Sequence, residues 1–138
     1  MSGEYVNKLK RRAMNLLRTS ETIDDADLAM FFVDQGIQLY VKAVHYEIFG
    51  VRIRGHGIRE LLGLLSKELE THGFINEARL IRDFVISNRD VLVMLEEAYI
   101  EARYGDVSYG ANDLSKAINV ARELVKLLDG VVRSVKLG

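Results

Sequence analysis

Apolar residues recur at three- and four-residue steps along most of the chain, the spacing of amphipathic helices. Over residues 4–18 the repeating positions are Val6, Leu9, Ala13, Leu16 and Leu17, while Lys8, Lys10, Arg11 and Arg12 give the other side a basic face. Such a charge run reads first as a solvated surface, with a nucleic-acid contact as the minority alternative. The polar stretch TSETIDD, residues 19–25, offers Thr22 or Asp24 as the cap of a second helix. That helix, residues 27–49, is apolar around most of its circumference and so must be covered on several sides. Asp34, Gln38, Lys42 and His45 nonetheless fall on one stripe, with Gln35 beside them. Gly50 follows as a left-handed helix end.

The segment VRIRGHG, residues 51–57, is the first substantial connection. A third helix is expected over residues 57–72, with Ile58, Leu61, Leu62, Leu65 and Leu69 inward and Gly73 ending it. Residues 74–104 would make one helix roughly 45 Å long, more than a compact domain needs. The polar Ser87, Asn88 and Arg89 therefore predict a break. A loop, GDVSYGA, covers residues 105–111, and Asn112 is the expected cap of the last helix. Its apolar stripe runs through Leu114, Ala117, Ile118, Ala121, Leu124, Val125, Leu128 and Val131. The sum is an all-α, antiparallel up-and-down bundle of five to six helices around a four-helix core, a single domain over residues 1–138.

Composition narrows the function. The chain has 138 residues, 49% of them hydrophobic, with no cysteine and no proline. Disulfides and thiolate metal sites are thereby excluded, and long helices are favoured. A net charge of −1 argues against a general nucleic-acid coat protein. The longest strictly apolar run, residues 28–33, is far below the ~20 residues that span a bilayer. A soluble, cytoplasmic protein without membrane contact is expected.

Most catalytic signatures are missing. There is no GxxxxGK[ST] loop, and Gly55-His56-Gly57 lacks the third glycine of a dinucleotide fingerprint. Glu68 and His72 are four apart, and neither His45 nor His56 has a glutamate three residues before it, so a carboxylate-bridged metal pair is not expected. No metal, cofactor or catalytic residue is assigned. Two places remain. Arg52, Arg54, His56 and Arg59 surround the start of the third helix, where free N–H groups attract anions; the competing account is a helix cap with solvated arginines. Arg103 and Tyr104 close a helix, where a cation suits the negative end; alternatively the guanidinium and ring recognise a phosphate and a base.

The ordered set Phe32, Gln35, Gly36, Gln38, Lys42, Ala43, then Gly50, His56, Leu61, Leu62, and finally Ala102-Arg103-Tyr104 resembles the HEPN domain family (higher eukaryotes and prokaryotes nucleotide-binding), of the prokaryotic minimal type. The resemblance spans residues 4–135. It implies a helical bundle, a homodimer, and pairing with a minimal nucleotidyltransferase in a toxin–antitoxin-like system, with nucleotide or RNA as ligand. Gln38 stands where the family pattern has Glu, and Gly36 where it has Ala. Ribonuclease members carry Arg-x(4–6)-His at the end of the fourth helix. Here the fifth position after Arg103 is Ser108, then Tyr109, and no histidine occurs after His72. A hydroxyl does not replace imidazole as an acid–base group near neutral pH.

The reading that follows is a non-catalytic HEPN-like homodimer with a nucleotide- or anion-binding cleft. Its candidate ligand-binding residues are Arg103, Tyr104, Lys42, Gln35, Arg54 and His56. The alternatives are a divergent ribonuclease toxin using Arg103 with His56 or Tyr109, and a purely structural dimerisation module.

Overall fold

Six helices follow one another in a computed structural model that describes residues 2–138, Ser2 by its backbone only. They are α1 (Ser2–Ser20), α2 (Ala26–Phe49), α3 (Ile58–Thr71), α4 (Ile75–Ser87), α5 (Arg89–Tyr104) and α6 (Ala111–Leu137). No strand occurs among the described residues. The expected up-and-down all-α bundle is what forms, with six helices because the expected break in the fourth occurs.

Helix α2 is the spine. It packs against α1, α3, α5 and α6, which is why its apolar residues had to surround its axis. Val33, Val41 and Val44 are fully buried. Around it Leu61, Leu62, Leu65, Leu69, Ile81, Leu92, Leu95 and Leu128 are also fully buried. Each such side chain contributes about 1.5–3 kcal/mol relative to its exposed state. Gly36 sets the distance to α1. A Cβ there would lie 3.0 Å from Leu17 Cδ2 and 3.1 Å from the Ala13 carbonyl oxygen. The α1 face carrying Lys8, Arg11 and Arg12 is exposed, while Lys10 turns to Glu47 of α2 at 2.7 Å. Lys136 of α6 reaches the same carboxylate at 3.0 Å.

The helix ends follow local chemistry, with two corrections. The cap of α2 is Asp25, whose side chain accepts from the Leu28 N–H, 3.1 Å. Thr22 instead donates to the Thr19 carbonyl at the end of α1. Helix α6 begins one residue before Asn112, with Gly110 as its cap and the Asp113 carboxylate accepting the Gly110 N–H at 3.0 Å. The break between α4 and α5 falls at Asn88, inside the expected window. Its backbone and side-chain N–H groups both donate to the Phe84 carbonyl, which ends α4 and redirects the chain. No described helix is long and apolar enough to cross a membrane.

Candidate functional site

Tyr99 and Arg103 lie one turn apart on α5 and so share a face. The Arg103 guanidinium carbon sits 4.9 Å from the Tyr99 ring centroid, 5.6 Å from that of Tyr104 and 5.8 Å from that of Phe31 on α2. These are cation–π distances. From the α2–α3 connection, His56 stacks on Tyr99 with ring centroids 5.0 Å apart and planes 17° apart. Phe31 also lies nearly parallel to Tyr99, at 6.1 Å and 20°. Four rings and a guanidinium from three parts of the chain thus meet at one place. Arg103, Tyr104 and His56 are exposed, whereas Tyr99 and Phe31 are half-buried beneath them.

The backbone explains how His56 gets there. Gly55 has φ +132°, a conformation that other residues avoid, and a Cβ on it would meet Glu60 Oε1 at 2.8 Å. The chain bends at His56, directly after this glycine, and His56 lies against Tyr99 of α5. Gly105, left-handed at φ 73°, ends α5 directly after Tyr104. Beyond it Tyr109 is buried. Its N–H donates to Asp27 Oδ1 at 2.7 Å and its hydroxyl to Glu97 at 2.9 Å. Burial and that carboxylate push the phenol's pKa up, so Tyr109 anchors the loop and does not ionise near neutral pH.

The arginines around the start of α3 are divided among different partners. Arg52 lies over the Tyr5 ring, 4.2 Å from its centroid. Arg59 forks onto Glu96 of α5 through Nε (2.9 Å) and a terminal nitrogen (3.1 Å). Its backbone N–H reaches Glu96 Oε2 as well, at 3.2 Å. The anion at this helix start is therefore a carboxylate of the protein itself. Arg54 is exposed and makes no hydrogen bond or ion pair among the described residues.

The polar stripe of α2 is largely internal. Asp34, Gln38 and His45 are buried, while Gln35 and Lys42 are half-buried. Asp34 Oδ2 accepts from Gln38 at 2.7 Å and from Gln35 at 3.4 Å, and Oδ1 has no partner. Burial pushes the Asp34 pKa up to about 7, against the lowering effect of those two amides, with the Glu96 charge adding to the rise. Lys42 makes no ion pair among the described residues; burial lowers its pKa and the charge of Asp34 partly restores it. His45 packs edge-on against Phe49, leaves Nδ1 unpartnered, and has its pKa lowered by burial. Among the described residues no group of three or more His, Cys, Asp or Glu side chains is placed to hold a metal ion.

The structure thus brings Arg103, Tyr104 and His56 together and sets Gln35 and Lys42 along the adjoining spine helix. Tyr99, Phe31 and Glu96 were not singled out from the sequence. An aromatic one turn before an arginine was the available signal for Tyr99; Phe31 and Glu96 carried none.

The class defined here is an all-α up-and-down bundle with a cationic, aromatic platform at the end of its fifth helix. The model of the HEPN domain family matches residues 6–131, and the chain belongs to that family. Membership ties it to a nucleotide- or RNA-related function. No curated protein and no solved structure matches the chain.

Proposed function

We propose that this HEPN protein recognises a nucleotide, free or within RNA, at the Arg103–Tyr99–His56 platform and does not cleave it. The observation that carries this reading is the meeting of Arg103 and His56 on the Tyr99 ring, at 4.9 and 5.0 Å. A base stacks on exposed rings, and a guanidinium takes the adjoining phosphate. Tyr104 adds an exposed ring, Arg54 a charge two residues from His56, and Gln35 an amide one turn from Phe31 on α2, while Lys42 lies about 16 Å of helix axis from Phe31 and outside the platform. Recognition without chemistry fits the absence of a histidine after His72 and the hydroxyl of Tyr109 being held by Glu97.

In this reading residues 1–138 form one cytoplasmic domain. It works as a homodimer beside a minimal nucleotidyltransferase in a toxin–antitoxin-like pair. Calorimetry with mononucleotides and short RNA tests the ligand. Arg103→Ala and Tyr99→Ala should each weaken binding by about 1–3 kcal/mol. No heat from any of these ligands, with the protein folded, removes the proposal.

The proximity of Arg103 and His56 also favours a second reading, a divergent ribonuclease with its imidazole supplied by the α2–α3 connection. Incubation with total RNA separates the two. Cleavage by the wild type, lost in both Arg103→Ala and His56→Ala, establishes the second and ends the first.

A further inference from the structure

Helices α1 and α6 both lean on α2 and leave a groove between them. Within it lies a cavity of about 260 Å³. Met14 of α1 and Ile118 and Val125 of α6 give it half-buried apolar walls. The groove continues past Ile118 to Leu114 and Ser115 of α6. From Leu114 to Asp129 it follows about 22 Å of helix axis, four turns, which suits a polypeptide better than a small ligand. None of these residues belongs to the Arg103 platform.

The charges at the rim are unequally matched. Arg122 pairs with Glu21 across the groove, and the Tyr40 hydroxyl donates to Asp129. Arg18 and Lys126 line the same cavity, are exposed, and have no carboxylate partner among the described residues. Arg18 donates only to the neutral Asn15. An apolar trough between two helices with unmatched cations on its edge is complementary to an amphipathic helix with acidic flanks. A second copy of this chain is a poorer match through α4, where Leu80 and Ile86 are 52% and 75% exposed but Arg79 beside Leu80 repeats the charge of the rim.

We infer that the α1–α6 groove is a docking site for an acidic amphipathic helix of a partner protein. Leucine-type side chains of the partner sit against Met14, Ile118 and Val125. Its carboxylates meet Arg18 and Lys126. The interaction is independent of nucleotide binding, so ligand affinity at Arg103 is unchanged by variants in this groove.

The test uses the full chain and labelled synthetic peptides of about 16 residues. One has leucines at three- and four-residue steps with glutamates on both flanks; a second has lysines in place of the glutamates; a third is a scramble of the first. Fluorescence anisotropy should show saturable binding of the glutamate peptide alone. Ile118→Glu should abolish it. Because that side chain is half-buried, the surface double variant Arg18→Glu/Lys126→Glu provides a second arm. It should weaken the glutamate peptide about tenfold and admit the lysine peptide. Three results would each overturn the inference: equal binding of all peptides, no binding of any, or a glutamate-peptide affinity that the double variant leaves intact. Sedimentation of the wild type and Ile118→Glu adds a fourth. A dimer that dissociates in the variant makes the groove a self-interface instead.

Discussion

Asp34→Asn probes the interior of the spine helix directly. The Asp34 carboxyl is fully buried, has one oxygen without a partner, and has its pKa raised from 3.8 to about 7. Below pH 3.8 both the folded and the unfolded chain hold the proton, and burial carries no ionisation cost. As pH rises from 3.8 to about 7 the unfolded chain releases its proton first, so stability falls across that window and levels off above it. At about 1.4 kcal/mol for each tenfold change in proton affinity, the total loss is about 4 kcal/mol. Asparagine keeps the shape and the bond accepted from Gln38 but cannot ionise. The variant should therefore match the wild type to within about 1 kcal/mol near pH 4 and exceed it by about 4 kcal/mol near pH 8.5. Urea unfolding of both proteins at intermediate pH values measures the difference. His45 acts with the opposite sign: its depressed pKa means stability is lost as pH falls from 6.5 through the folded value. That contribution is common to both proteins and cancels in the comparison. A difference that stays constant from pH 4 to 8.5 would refute the argument, because it would mean that Asp34 ionises as easily in the fold as outside it.

Three further perturbations follow from the packing. His45→Leu should remove the loss of stability below pH 6.5 while leaving the Asp34 window in place, as read from thermal midpoints at acid and neutral pH. Gly36→Ala should gain about 1 kcal/mol in helix propensity but lose about 1–3 kcal/mol by pressing on Leu17 and the Ala13 carbonyl. A net loss in urea unfolding is expected, although alanine is the residue of the family pattern; a clear gain would mean that α1 slides outward freely. Glu96→Gln should cost about 1–2 kcal/mol by undoing the Arg59 fork at the start of α3, less in high salt. It should also lower the upper end of the Asp34 window and shrink the loss across it, since the Glu96 charge raises that group's pKa.

The helices were legible because their signals are local. Leucine spacing marks α3, and Asn88 interrupts an otherwise continuous apolar pattern before α5. Where several residues offered the same chemistry, the choice depended on tertiary structure. Thr22, Asp24 and Asp25 can all cap a helix, and Asp25 does so because α2 begins early enough to bury Ala29 and Met30. Gly110 displaces Asn112 because the Asp113 carboxylate turns back onto its N–H. At the site, Arg103 and Tyr104 stood out as a polar and aromatic pair at a helix end. Tyr99 did not, because an aromatic among apolar positions looks like core. Glu96 is 37 residues from Arg59, and nothing in a single chain announces such a pair. The α2 stripe was visible as a line, but its depth was not: spacing places Asp34 beside Gln38, and only the surrounding helices exclude water from it.

Tyr109 bears on the timing of ligand binding. With its amide held by Asp27 and its hydroxyl by Glu97, the connection between α5 and α6 is tied down at its far end, and the chain just beyond Arg103 is set when the protein folds. Under the nucleotide-binding proposal, a ligand arriving at the platform would meet a helix end already tied down and would wait for no loop to close. Association would then be limited by encounter, and ligands of different quality would differ mainly in how long they stay.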